Sequence, residues 1–143
     1  MRVEPYLSLG GRGAAAIAYY QSALGAELLF IQHFRDAPVQ PGQTAMPPDA
    51  VMHATLRIGE SLVHVSDGDC TDTVVSGVHL SIQAADVAEG GRVYAALADG
   101  GEVRMPFGPT FWSPGFAMLK DRYGVAWMVN VALPEDATAT RAS

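Results

Sequence analysis

Alternating apolar and polar residues predict a β-hairpin over residues 51–67, the stretch around which the rest of the chain is organised. Gly59 and Glu60 form the predicted turn, since glycine suits the first central position of a tight hairpin turn. This turn sets the register and places Thr55 opposite His64. Side chains alternate between the two faces of a strand. The apolar face consists of Met52, Ala54, Leu56, Ile58, Val63 and Val65, and the mostly polar face of His53, Thr55, Arg57, Leu62, His64 and Ser66.

The same reasoning predicts six further strands and two helices along the chain. The strands are predicted over residues 5–9, 27–34, 77–83, 102–107, 116–120 and 125–131. One helix is predicted over residues 14–24. The second begins at Asp86, which forms a capping box with Glu89, and ends before Gly100. The proline-rich segment 35–49 and the polar segment 68–76 are predicted loops.

The two halves of the chain repeat one order of elements. A shift of 75 positions aligns Tyr19 with Tyr94 and Gly25 with Gly100, and a shift of 64 aligns His64 with Met128. Each half is strand, helix and three strands, which predicts a βαβββ module at 1–75 and another at 76–133, together one domain. Two copies of one unit usually pair about a pseudo-two-fold axis. Residues 134–143 are a predicted flexible tail.

Composition and charge restrict the kind of protein this is. A chain of 143 residues that is 49% hydrophobic and 17% charged is typical of a packed globular domain. The net charge of −6 argues against nucleic acid as the main partner. No apolar run is long enough for a transmembrane helix, so we expect no membrane association and a cytoplasmic location. The single Cys70 forms no internal disulfide.

Four segments of the chain resemble one known superfamily. They are PYLSLGGRGAAAIAYYQSALGAEL, VMHATLRIGESLVHVSD, TFWSPGFAMLKDRYG and GVAWMVNV. They are similar to the vicinal oxygen chelate superfamily, which includes glyoxalase I, extradiol dioxygenases and bleomycin resistance proteins, and above all to its PhnB-like branch. The resemblance implies an α+β fold of two βαβββ modules with pseudo-two-fold symmetry, forming a curved, cup-shaped mixed sheet covered by helices. It also implies a homodimer.

The resemblance places the polar strand faces inside the cup, where a small-molecule ligand binds. His64 stands where metal-dependent members have a ligand, His79 lies two residues from another such position, and His53 lies close to His64. These histidines are the candidate ligands of a divalent metal (Zn, Ni, Mn or Fe). The carboxylates usual at such sites are missing, and histidines without a metal, bonded to neighbouring hydroxyls, are the alternative. The candidate pocket residues are Tyr6, His53, Thr55, His64, His79, Trp112, Phe116 and Met128.

Three functions follow from these expectations. The first is a metal-assisted lyase, isomerase or dioxygenase, in which a metal polarises an oxygen of a small substrate. The second is a protein that binds and sequesters a small, partly aromatic molecule of the antibiotic type, without catalysis and without a metal. The third is a dimeric scaffold whose ligand site has decayed. The missing carboxylates argue against the first, and the histidines on the polar faces argue against the third.

Overall fold

Each half of the chain builds its own four-stranded mixed sheet with one helix. The computed structural model describes residues 1–38, 46–68 and 77–133. The chain divides into two units, Met1–Val74 and Val75–Ser143. The first unit contains β1 (Tyr6–Ser8), α1 (Gly13–Leu24), β2 (Glu27–His33), a short 3₁₀ helix (Phe34–Asp36), β3 (Val51–Ile58) and β4 (Ser61–Ser66). The second contains β5 (Leu80–Ala84), α2 (Val87–Ala98), β6 (Glu102–Gly108), β7 (Phe116–Lys120) and β8 (Ala126–Val131).

The two sheets have the same strand order. It is β1-β4-β3-β2 in the first unit and β5-β8-β7-β6 in the second. Strand β1 is parallel to its neighbour β4, and β5 is parallel to its neighbour β8. All other neighbouring strands are antiparallel. The α+β class with two βαβββ modules is therefore confirmed. No helix in the described part of the chain has the length and apolar character needed to span a membrane.

The central hairpin has the predicted register. Thr55 pairs with His64, and Leu56 pairs with Val63. Gly59 at the turn has φ of 59°, a left-handed conformation that costs glycine little because it has no Cβ. The second helix starts as predicted, since the Asp86 carboxylate accepts the backbone N–H of Glu89 at 2.8 Å and the Glu89 carboxylate accepts that of Ala85 at 2.7 Å.

The apolar faces of both sheets lie against the helices, as predicted. Helix α1 contacts β3 and β4, and α2 contacts β7 and β8. Because the helix of each unit packs on the apolar face of the sheet, it leaves the opposite, more polar face uncovered. The buried residues of the first unit include Ile17, Tyr20, Ala54, Leu56, Val63 and Val65, and those of the second include Val93, Leu97, Ala117, Leu119, Trp127 and Val129.

Several element boundaries differ from the predicted ones, most of them by one residue. The strand expected over residues 77–83 begins only at Leu80, so Val78 and His79 precede it. Strand β2 ends at His33, because Phe34 begins the 3₁₀ helix. Strand β6, which contains Pro106, is an edge strand with two register shifts; proline cannot donate a hydrogen bond to a neighbouring strand and is therefore found at sheet edges. Parts of both predicted loops, Cys70 and the predicted tail 134–143 lie outside the described residues.

Candidate functional site

A chain of four polar side chains crosses the uncovered face of the first sheet. The carboxylate Oε1 of Glu4 lies 2.9 Å from Nε2 of His64. The other ring nitrogen of His64, Nδ1, lies 3.2 Å from the hydroxyl of Thr55, and that hydroxyl lies 3.3 Å from Nε2 of His53. All three contacts are within hydrogen-bond range. The two imidazoles are therefore linked through one hydroxyl and are tied at one end to a carboxylate.

Two exposed aromatic rings flank this chain. The Tyr6 ring stacks on both imidazoles, with centroid distances of 5.8 Å to His53 and 6.0 Å to His64. The Phe30 ring lies 6.0 Å from His53 at a tilt of 45°. Tyr6 is 55% exposed and Phe30 is 51% exposed. We call Glu4, Tyr6, Phe30, His53, Thr55 and His64 the histidine cluster; it offers aromatic faces and hydrogen-bonding groups side by side.

Strand pairing accounts for the positions of four members of the cluster. Parallel pairing of β1 with β4 sets Tyr6 beside His64, and antiparallel pairing of β3 with β4 sets Thr55 on the other side of His64. Strand β2 contributes Phe30, which pairs with Thr55 next to a register shift after Leu28. A shift of this kind changes the face to which the following side chains point.

Two members were missed in the sequence analysis. Glu4 lies two residues before Tyr6, so the period of two along a strand places it on the same face. The predicted strand began one residue after Glu4, which removed it from consideration. Phe30 had no comparable signal, because the register shift that precedes it has no mark in the sequence.

The electrostatics of the cluster keep Glu4 ionised and oppose a charge on His53. The hydrogen bond from His64 lowers the pKa of the Glu4 carboxyl, and the positive charge of Arg2, 2.9 Å away, lowers this pKa further. Burial lowers the pKa of His53, and the neighbouring charge of His64 acts in the same direction. Glu4 is therefore an acceptor of hydrogen bonds only.

The remaining predicted pocket residues lie in the second unit. His79 precedes β5, and Met128 of β8 pairs with Met118 of β7. Trp112 packs edge-on against the buried ring of Phe116 at 5.3 Å and is 42% exposed. Of this pair, Trp112 leaves part of its ring exposed in the second unit, whereas Phe116 is buried. Whether they line one pocket with the histidine cluster stays a prediction.

Comparison with known proteins establishes the family. A family model, Glyoxalase/Bleomycin resistance protein/Dioxygenase superfamily, matches residues 5–129. The chain belongs to this superfamily. Protein YjdN of Escherichia coli (strain K12) is 38% identical over 140 residues, which cover 92% of this chain and 95% of YjdN.

Several solved structures have the same fold. Protein PA1353 from Pseudomonas aeruginosa is 37% identical with a TM-score of 0.82, and the match covers 92% of this chain and 98% of PA1353. A PhnB protein from Bacillus cereus is 23% identical with a TM-score of 0.78, over 92% and 100% of the two chains. The fosfomycin resistance protein FosX from Listeria monocytogenes, solved with Mn(II) and 1S,2S-dihydroxypropylphosphonic acid, is 13% identical with a TM-score of 0.66, over 99% and 98%. The last two likenesses show the fold alone.

FosX, which has this fold, was solved with Mn(II), and the fit of a metal ion to the histidine cluster depends on the free lone pairs of its side chains. A metal ligand needs a free lone pair on a ring nitrogen. Both ring nitrogens of His64 already lie within hydrogen-bond range of Thr55 and Glu4. Among the described residues, no group of three His, Cys, Asp or Glu side chains is arranged to hold a metal ion. The cluster in this arrangement does not fit a metal centre.

Proposed function

We propose that this superfamily member binds a small, partly aromatic molecule on the histidine cluster and does so without a metal. The observation that supports this proposal is the hydrogen-bonded chain from Glu4 to His53, flanked by the exposed rings of Tyr6 and Phe30. Exposed aromatic rings on a sheet face are surfaces on which a planar ligand stacks. The imidazole of His53 supplies a polar contact that orients the ligand.

A metal-assisted lyase, isomerase or dioxygenase is the second candidate. Two imidazoles and a carboxylate lie in one cluster, and these are the donor types that Zn, Ni, Mn or Fe ions use. For such a site, the rings of His53 and His64 would have to turn away from Thr55 and Glu4, and a further ligand such as His79 would have to join them. The contacts that hold His64 at both ring nitrogens favour the binding protein instead.

Thermal denaturation with a library of small aromatic compounds tests the proposal. The library is screened in chelator and again with added Zn²⁺, Ni²⁺, Mn²⁺ or Fe²⁺. We expect compounds that raise Tm equally in both conditions, because a ligand that binds only the native state stabilises it by mass action. His64→Ala should abolish the shift. His33→Ala, which removes an imidazole outside the cluster, should retain it.

Three results would contradict this function. A Tm shift that requires one of the metals would favour the metal-assisted enzyme. Hits whose shifts survive both His64→Ala and Tyr6→Ala would place the ligand elsewhere on the protein. The absence of any hit in an extensive screen would favour a scaffold whose ligand site has decayed.

The homodimer implied by the resemblance is also a proposal. It is supported by the exposed aromatic residues in the loop before β7, where Phe111 is 95% exposed and packs edge-on against Trp112 at 4.7 Å. Exposed aromatic pairs are common in protein interfaces. Light scattering after gel filtration should give twice the mass of 15.1 kDa per chain. A mass of one chain at micromolar concentration would exclude a stable dimer.

A further inference from the structure

We infer that, when both histidines are neutral, the hydrogen bonds of the histidine cluster run in one direction and make Nδ1 of His53 a hydrogen-bond acceptor, which selects ligands that carry a donor. The inference rests on the proposed function, because it names the class of ligand for the same site. That class is a planar, conjugated molecule with an N–H or O–H on its edge. The direction of these hydrogen bonds follows from the number of protons that each side chain between Glu4 and His53 can donate.

The ionised carboxylate of Glu4 fixes the position of the proton on His64. A carboxylate only accepts hydrogen bonds, so the nitrogen of His64 that lies 2.9 Å away must carry a proton. With His64 neutral, its other nitrogen, Nδ1, has a lone pair and no proton. The hydroxyl of Thr55, 3.2 Å from this nitrogen, therefore donates its only proton to it.

The hydroxyl of Thr55 in turn fixes the position of the proton on His53. Since the hydroxyl proton of Thr55 is used toward His64, the contact of 3.3 Å between Thr55 Oγ1 and His53 Nε2 needs a proton on Nε2. A neutral imidazole carries one proton, so Nδ1 of His53 is left with a lone pair. Within residues 1–38, 46–68 and 77–133, no group forms a hydrogen bond with this nitrogen.

The surroundings of His53 define the shape of the ligand. The centroid of its ring lies 5.8 Å from that of Tyr6 and 6.0 Å from that of Phe30. A flat molecule that stacks on either exposed ring brings its edge to His53. A donor on that edge completes the chain at Nδ1, whereas an acceptor there would set two lone pairs against each other.

The charge of His64 sets the direction, so the test is made with both rings neutral. If His64 carries a second proton, Nδ1–H donates to Thr55, the Thr55 hydroxyl donates to His53, and Nδ1 of His53 becomes a donor. The measurements are therefore made at about pH 8.5, well above the ordinary pKa of a histidine side chain.

Nitrogen-15 NMR of the imidazole rings in the full chain tests the direction without any ligand. We expect a single tautomer, protonated at Nε2, for both His53 and His64. In Thr55→Val, His53 should become a mixture of tautomers, while His64 keeps the Nε2 proton because Glu4 still accepts it. Thr55→Ser, which retains the hydroxyl, should behave like the wild type. A proton on Nδ1 of His53 in the wild type, or a His53 signal that Thr55→Val leaves unchanged, would overturn the inference.

Indole and 1-methylindole are matched probes for the ligand class. Both are flat, but only indole has an N–H, and the methyl group makes 1-methylindole the more hydrophobic of the two. We expect the wild type to bind indole about 3- to 10-fold more tightly, the usual range for one hydrogen bond. His53→Ala should remove or reverse this preference.

The outcomes separate this inference from the proposed function. If both indoles shift the cluster resonances with equal affinity, the site binds aromatic ligands and the inferred selectivity is wrong. If neither probe shifts them at millimolar concentration, the proposed site is itself contradicted for this ligand class. A single Nε2 tautomer together with a preference for indole would support both.

Discussion

At the scale of single residues, Asp67 is a buried carboxylate that holds three segments of the first unit together. It is 2% exposed, and its oxygens accept the backbone N–H groups of Gly11, Gly13 and Val51 at 2.8 to 2.9 Å. These bonds join the turn before α1 to the start of β3. Buried backbone N–H groups that lose their acceptor are costly, so this carboxylate stabilises the base of the central hairpin.

The substitution Asp67→Asn tests this role. The amide keeps one acceptor oxygen and places an NH₂ group against a backbone N–H, so we expect a loss of about 2–4 kcal/mol in the free energy of unfolding. Urea denaturation measures the loss. Asp49→Asn removes an exposed carboxylate and is the matched control, which should change stability by less than about 0.5 kcal/mol. Equal effects of the two substitutions would show that the three bonds contribute little.

The lowered pKa of His53 predicts how stability depends on pH. The native state binds a proton at His53 less readily than the unfolded chain, for which the ordinary value is 6.5. This contribution to stability is therefore complete above about pH 6.5 and declines as the pH falls below it. Glu4, whose pKa is lowered from 4.5, adds its own loss only in more acidic solution. Tm should fall between pH 7 and about pH 5 in the wild type and fall less steeply in His53→Gln. Parallel Tm curves for the two proteins would contradict the assignment.

Sequence reasoning reached part of the histidine cluster for a clear physical reason. The tight turn at Gly59 fixes which residues face each other across the hairpin, so the pairing of Thr55 with His64 could be predicted. The role of Asp67 at the end of the predicted hairpin was not foreseen, since nothing local indicates that a carboxylate after a strand will be buried. Its three partners are up to 56 residues away in the chain, and only tertiary packing brings them to it.

At the scale of elements, helix α2 contains two adjacent glycines with opposite surroundings. A Cβ at Gly91 would lie 3.6 Å from the Phe107 ring, an ordinary packing distance. A Cβ at Gly90 would lie 2.9 Å from Val131 Cγ2 and 3.1 Å from the Phe107 ring, which is closer than side chains normally pack. Of these two glycines, Gly90 is therefore the one at which the helix approaches β6 and β8 closely.

This contrast predicts stability changes of opposite sign. Gly91→Ala should stabilise the protein by about 0.5–1 kcal/mol, because alanine loses less conformational freedom than glycine in a helix. Gly90→Ala should destabilise it by about 1–3 kcal/mol, because the added methyl group forces the buried neighbours apart. Chemical denaturation of the two variants, which differ only in the position of one methyl group, measures both effects. Stabilisation by both alanines would show that the packing at Gly90 relaxes easily.

The elements that were predicted best are those with a complete local signal. The central hairpin has alternation on both strands and a glycine turn, and its register was correct. The strand after Gly77 was predicted to start three residues too early, since Val78 and His79 continue the alternation although they lie outside β5. The shifts in β2 and β6 depend on the neighbouring strands and could not be derived from their own residues.

At the scale of the whole molecule, the two units use one strand order for different chemistry. In the first, parallel pairing brings Tyr6 to His64, and in the second the corresponding pair is Ser81 and Met128. The repeat therefore preserves the hydrogen-bonding frame and the buried faces, which the fold requires. The fold does not require the same residues on the uncovered faces. The strand positions of the second unit that match the histidine cluster contain no histidine.

The metal content of the whole protein is the prediction that separates the two candidate functions most directly. The candidate ligands His53, His64 and His79 are divided between the units, and His64 already has a partner at each ring nitrogen. Separating the half-buried imidazole of His64 from Thr55 and Glu4 would lower the stability of the protein before any metal is bound. We therefore expect untagged protein, purified without chelator and without a metal column, to contain far less than one equivalent of Zn, Ni, Mn or Fe. Elemental analysis measures this directly. About one equivalent of metal in the wild type, lost in both His64→Ala and His79→Ala but retained in His33→Ala, would overturn the metal-free site and favour the enzyme.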